Sequence, residues 1–125
     1  MTIDVSQVID FQAQLIYRFG GEPGVRDYQM LDSSINSIYQ TFDQKDLYPT
    51  IIEKATRLAF NLISSHPFLD GNKRIGMHML ITYLRFENIS FYPSPQEVIS
   101  VGFSIAKGQL TYELLLAWVT KNIEK

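Results

Sequence analysis

Ten residues near the middle of the chain, Ile75-Gly76-Met77-His78-Met79-Leu80-Ile81-Thr82-Tyr83-Leu84, are apolar on nearly every face of the helix they would form. A helix of that kind cannot lie on a surface; other elements must surround it. The stretch just before it has the opposite character. His66-Pro67-Phe68-Leu69-Asp70-Gly71-Asn72-Lys73-Arg74 puts a histidine, a carboxylate, a glycine and two cations within nine residues. The chain is therefore organised around a buried helix whose N-terminal end carries a polar cluster.

That end of a helix holds unpaired N–H groups and a partial positive charge, which suits an anion. Gly71 lets a ligand come close to the backbone, and Lys73 and Arg74 add full positive charge. Asp70 can hold a hard metal ion, and His66 can move a proton near neutral pH. Each residue alone has a plainer explanation. His66 would cap the last carbonyls of a helix, Asp70 would shape a turn, and Asn72 would be an N-cap. Phe68 would anchor the loop in the core. Lys73 and Arg74 would be surface charges, although a basic pair in a first turn opposes the helix dipole and so favours an anionic ligand. The joint pattern points to nucleotide phosphates with chemistry beside them.

Helical spacing marks the other elements. Asp4 and Gln7 form a capping box ahead of Val5, Val8, Ile9, Phe11, Leu15, Ile16 and Phe19, and Gly20-Gly21 ends that helix. Asp27 caps a second helix with Met30, Leu31, Ile35, Ile38 and Phe42 as its apolar positions. Asp43 to Pro49 is polar and reads as a loop or short flap. Ile51, Ile52, Ala55, Leu58, Ala59, Leu62 and Ile63 form one face of a third helix. It ends near Ser65, because His66 precedes a proline. The central helix runs from about Asn72 to Glu87. Ile89 to Tyr92 is extended. Ser94-Pro95-Gln96-Glu97 starts a further helix with a capping box, carrying Val98, Val101, Ile105 and Ala106 and ending at Gly108. Thr111 caps the last one, with Leu114, Leu115, Trp118, Val119 and Ile123. The sum is an all-α, single-domain helical bundle of about six helices with almost no strand.

A chain of 125 residues with 46% apolar content supports one core. The absence of cysteine excludes disulfides, thiolate metal sites and a cysteine nucleophile. A net charge of −2 argues against direct nucleic-acid binding. Met1 to Val5 has no basic region leading into an apolar block, and no run is long enough for a bilayer. A cytoplasmic protein without a membrane partner is the expectation. No second histidine or carboxylate stands at ligand spacing to His66, which makes a metal hydrolase a weak reading.

The cluster resembles the signature of the Fic/Doc family, His-Pro-Phe-x-(Asp/Glu)-Gly-Asn-Gly-Arg-x-x-Arg, at His66, Pro67, Phe68, Asp70, Gly71, Asn72 and Arg74. It departs at Lys73, in place of the second glycine, and at Met77, in place of the second arginine. Both departures are similar to the Doc branch, although that branch has alanine at the position of Gly71. Arg18 to Asp27 resembles the early turn of that branch, Leu84-Arg85 with Asn88 the end of its central helix, and Ala106-Lys107-Gly108 its late turn.

The resemblance implies transfer from a nucleotide to a protein hydroxyl. Fic members mostly transfer AMP. The Doc branch transfers the γ-phosphate of ATP to elongation factor Tu and arrests translation. By this resemblance His66 would be the general base and Asp70 would hold Mg²⁺. Gly71, Asn72, Lys73 and Arg74 would cradle phosphates, with Arg74 also stabilising charge in the transition state. Lys73 and Met77 favour the kinase-like pose; AMP transfer and a catalytically idle partner-binding protein are the alternatives. The segment Asp43 to Pro49 would be a flap that pairs with the target. The inhibitory motif Ser/Thr-x-x-x-Glu-(Gly/Asn) is absent, since Tyr83 stands four residues before Glu87-Asn88. Restraint would then come in trans, from an antitoxin helix in a groove.

Overall fold

The computed structural model describes residues 1–124. Its elements, in chain order, are α1 (Val5–Phe19), α2 (Tyr28–Asn36), a 3-10 turn (Ser37–Tyr39), β1 (Thr41–Phe42), β2 (Lys45–Asp46), α3 (Ile51–Ser65), α4 (Asn72–Phe86), α5 (Pro95–Ala106) and α6 (Tyr112–Lys121). The all-α bundle of six α-helices expected from spacing is the architecture observed. No helix among the described residues is long and apolar enough to cross a membrane.

Local chemistry sets the boundaries. Asp4, Asp27, Thr50, Ser94 and Thr111 each accept a backbone N–H of the helix they precede, satisfying a donor the first turn would otherwise leave free. The box at Asp4 and Gln7 closes in both directions. That at Ser94 closes in one only: the Ser94 hydroxyl accepts the Glu97 N–H, while the Glu97 carboxylate accepts Trp118 Nε1–H at 3.1 Å. A tertiary partner has taken the side chain that the local motif would have used.

The centre is a pair of helices rather than α4 alone. α3 touches α2, the 3-10 turn, α4, α5 and α6, whereas α4 packs on α1, α3 and α5. The reason is at the ends of α4, where Lys73, Arg74, Arg85 and Phe86 are exposed. Between those ends Ile75, Met77, Met79, Leu80, Tyr83 and Leu84 are buried in the same core cluster as Leu58, Leu62 and Ile63 of α3. Each such side chain contributes about 1.5–3 kcal/mol by leaving water. Gly76 sets how closely the two helices meet. A Cβ there would lie 2.5 Å from Ile63 Cγ1 and 3.1 Å from the Ala59 carbonyl oxygen.

Other expectations shift in detail. Phe42 belongs to a short hairpin, Thr41 opposite Asp46 and Phe42 opposite Lys45, and not to the second helix. Asp43 and Gln44 at its tip have φ of 52° and 65°, as a tight two-residue hairpin turn requires. The hairpin starts before the polar stretch that marks the flap in sequence, and Tyr48 and Pro49 lead out of it into α3. Met30 and Leu114 lie on the wet faces of α2 and α6. The extended segment near Phe91 is held by an antiparallel bridge to Ile123.

Candidate active site

The polar cluster forms the corner between α3 and α4. His66 is the C-cap of α3 and adopts a left-handed conformation, φ 49° and ψ 57°. That conformation turns the chain out of the helix and leaves the imidazole exposed. A side chain with a Cβ stays there only if its surroundings fix it. The fixing group is Arg26, from the turn between α1 and α2. Its Nε donates to the His66 carbonyl at 2.7 Å and its Nη2 to the Ser65 carbonyl at 3.1 Å. The N–H groups of Arg26 and Asp27 both donate to the Pro67 carbonyl, at 2.8 and 3.0 Å. The Leu69 N–H donates to the Gly24 carbonyl at 3.0 Å, so Val25 and Phe68 form a one-pair antiparallel bridge. Phe68 anchors the loop as expected, at 1% exposure.

Asp70 is held by backbone. Its Oδ1 accepts the Gly71 N–H at 2.8 Å and its Oδ2 accepts the Glu22 N–H at 3.3 Å. The turn passes so close that a Cβ on Gly21 would lie 2.7 Å from Oδ2. Beneath it lies Gln12, a polar side chain 1% exposed in the middle of α1. Gln12 Nε2 donates to the Asp70 carbonyl at 3.1 Å and to the Glu22 carbonyl at 3.4 Å, and Oε1 accepts the Gly24 N–H at 3.4 Å. One amide thus ties the early turn to the acid loop.

Gly71, φ 73°, is the N-cap of α4, and no side chain caps this end. The first-turn N–H groups therefore have no side-chain acceptor, and they sit beside the exposed Lys73 and Arg74. Asn72, read from sequence as an N-cap, is the first residue inside the helix. Its amide faces backward to Phe68, as acceptor to the N–H at 3.0 Å and donor to the carbonyl at 3.1 Å. Gly71 takes the cap position in a left-handed conformation that glycine adopts without strain. The Asn72 side chain is thereby committed to shaping the loop.

A cleft of about 840 Å³ opens between α1, α4 and α5. Asp70, Gly71, Lys73 and Arg74 border one end. The floor is apolar, with Leu15, Met77, Ile81 and Val98, and Arg85 stands toward the far end. His66 and Asn72 do not line it. His78 does; its ring packs on Phe11 with centroids 5.1 Å apart and its Nε2 lies 3.3 Å from Thr82 Oγ1. Burial holds the His78 imidazole below its ordinary pKa.

Among the described residues Asp70 is the one carboxylate bordering the cleft. No group of three or more histidine, aspartate or glutamate side chains among the described residues is arranged to hold a metal. A single exposed carboxylate whose oxygens keep lone pairs beyond their N–H partners suits Mg²⁺, which takes one or two carboxylates and completes its shell with phosphate oxygens and water. It does not suit zinc or calcium, which need a larger protein donor set.

Gln12 and Arg26 carry no role in the sequence reading, though Arg26 lies in the quoted early turn. A signal for Gln12 was present: it falls between Val8 and Ile16 on the four-residue repeat that α1 buries, where a polar residue must find partners. Arg26 has no such signal, since its acceptors are some 40 residues away in the chain.

The family model for the Fic/DOC family matches residues 2–84, which includes α1, the early turn, the whole corner and most of α4. The chain is also 37% identical over 71 residues to a protein named Toxin Doc from Mycolicibacterium smegmatis, across 57% of this chain and 55% of that protein. The match thus spans about half the length of that relative. With its signature residues gathered at one helical corner and the family model matched along two-thirds of its length, the chain belongs to the Fic/DOC family.

Proposed function

We propose that this protein is a Doc-type toxin that transfers the γ-phosphate of ATP to a hydroxyl of a target protein, elongation factor Tu, and so arrests translation. The likeness to a protein named Toxin Doc supports the class of activity. The observation that carries the choice of group is at the cleft mouth: an exposed Lys73 stands where a glycine would leave room for phosphates in the AMP-transfer pose. At Met77, where a second arginine would clamp the remaining phosphates, the cleft wall is a thioether that is 3% exposed.

The residues then divide the work. His66 takes the proton from the target hydroxyl. The hydroxyl oxygen bonds to the γ-phosphorus as the bond from that phosphorus to the β,γ-bridging oxygen breaks, and ADP leaves. Lys73, Arg74 and the N–H groups behind Gly71 bind the phosphate oxygens, and Arg74 stabilises the charge that develops. Asp70 would hold Mg²⁺, which supplies charge neutralisation on the phosphates when bound. Asn72 acts through the loop by fixing Phe68. The hairpin of β1 and β2 offers an open strand edge to an extended stretch of the target.

The partner that restrains it is an antitoxin segment folding as an amphipathic helix in the cleft. The apolar floor with cations at both ends fits an apolar face flanked by acidic residues.

The test is a transfer reaction on elongation factor Tu with ATP labelled on the γ- or the α-phosphate, using wild type and His66→Ala. Label from the γ-position alone, lost in the variant, is the expected result. Label from the α-position would mean AMP transfer and would remove the argument from Lys73 and Met77. No label from either would leave a partner-binding protein.

A further inference from the structure

The two cations of the cluster are each set against an aromatic ring from a different helix. The Arg74 guanidinium carbon lies 4.4 Å from the centroid of Phe19, at the C-terminal end of α1. Lys73 Nζ lies 5.1 Å from the centroid of Phe103, on α5. Arg18 stands 5.4 Å from the Phe19 ring and Lys107 5.1 Å from the Phe103 ring. Both rings border the cleft. Phe19 is 56% exposed and Phe103 48%, so neither is explained by the core. Neither Lys73 nor Arg74 forms an ion pair with a carboxylate among the described residues.

From this we infer that Phe19 and Phe103 are positioning residues that hold Arg74 and Lys73 apart at the cleft mouth as an unneutralised pair for a polyphosphate. The inference rests on the proposed nucleotide site but does not depend on which group is transferred. The physical advantage lies in the kind of partner. A carboxylate would also fix a cation, but it would cancel the charge and compete with an anionic ligand. An aromatic face attracts the cation through its quadrupole and leaves the charge in place. Because the rings come from α1 and α5, on either side of α4, they also draw the two side chains in different directions. Misplacement of a charged group by about 1 Å can cost on the order of a hundredfold in rate.

The experiment uses the full chain with Phe19→Leu, Phe103→Leu, Phe19→Tyr and Phe103→Tyr, and with Phe86→Leu as an exposed phenylalanine outside the cleft whose ring neither Lys73 nor Arg74 faces. The probes are Mg²⁺·ATP and inorganic triphosphate, titrated by calorimetry, with the transfer reaction run in parallel. Each leucine variant should weaken both ligands about five- to tenfold and slow transfer by at least as much, while unfolding at the wild-type temperature. The tyrosine variants, which keep a π face, should recover most of the loss, and Phe86→Leu should match wild type. In NMR spectra the Arg74 side-chain protons should show an upfield ring-current shift that disappears in Phe19→Leu and persists in Phe19→Tyr. Leucine variants that bind as wild type, tyrosine variants as weak as leucine, an Arg74 shift indifferent to Phe19, or a wild type that binds neither probe would each overturn the inference. If triphosphate binding responds as expected but no label is transferred, the enzymatic reading fails and the positioning role stands.

Discussion

The side-chain amide of Asn72 pairs with both backbone groups of Phe68, accepting its N–H at 3.0 Å and donating to its carbonyl at 3.1 Å. The first turn of α4 and the loop that precedes it are thereby locked together four residues apart. Since Phe68 is also bridged to Val25, the lock reaches the early turn and fixes the level at which Asp70 leaves the loop.

Removal of that pair should be felt in the fold before the chemistry. Asn72→Ala should destabilise by about 1–3 kcal/mol, because it removes two hydrogen bonds and leaves partly buried backbone groups of Phe68 unpaired. Asn72→Asp keeps the acceptor for the N–H but sets a second carboxylate oxygen against the Phe68 carbonyl, and should lose a comparable amount near neutral pH. Urea denaturation followed by circular dichroism checks both; wild-type midpoints would refute the role.

Gly76→Ala tests the meeting of α3 and α4. Helix propensity favours the alanine by about 1 kcal/mol. The added methyl, however, meets both Ile63 and the Ala59 carbonyl, and backbone cannot yield as a flexible side chain can. Overpacking of about 1–3 kcal/mol should win, with a net loss of about 1–2 kcal/mol. A melting temperature equal to or above wild type would show that α3 and α4 can separate at little cost.

His78 should make the fold sensitive to mild acid. Burial lowers its pKa in the folded chain below the ordinary 6.5, so between the folded and the unfolded value the unfolded chain binds more protons. Stability from this group is complete above about pH 6.5 and declines as pH falls from there toward the folded value. In His78→Gln the part of the pH dependence in that window should vanish. An unchanged pH profile of unfolding free energy would remove His78 as its source.

His66→Gly separates stability from function. The left-handed backbone at this position costs a non-glycine residue on the order of 1 kcal/mol, and glycine relieves that while adding entropy to the unfolded chain. The variant should be as stable as wild type or more so by up to about 1 kcal/mol, and should transfer no label. A clear loss of stability would mean that the imidazole holds the corner together.

Much of this was legible from short-range chemistry. Asp4, Asp27, Ser94 and Thr111 cap the helices they precede, because a cap acts within three residues and needs nothing distant. The same locality explains why Gly20-Gly21 and His66-Pro67 mark helix ends. What the sequence did not disclose depends on groups far apart in the chain. Glu97 left its capping box for an indole 21 residues on, and Asn72 gave up the cap position once the corner required Gly71 there. The hairpin was obscured because Asp43-Gln44 lacks the glycine that usually reveals such a turn. Leu114 has helical spacing but faces water, since periodicity identifies a stripe and not what covers it. At the site, the residue types were visible; the burial of Gln12 could be read from the repeat of α1 but not its partners, and the role of Arg26 was visible only in three dimensions.

The grip of Arg26 on the end of α3 has a consequence for how this corner forms. The nonapeptide from His66 to Arg74 is held only in part from within, by Asn72 on Phe68 and Asp70 on Gly71: its carbonyls also find donors on Arg26 and Gln12, and its carboxylate finds one on Glu22. A fragment beginning at Tyr28 would keep every residue of the signature and still lack the site. Competence is acquired when the first quarter of the chain docks onto the helical pair, so the corner is assembled by a long-range closure that a local helix-coil step cannot supply.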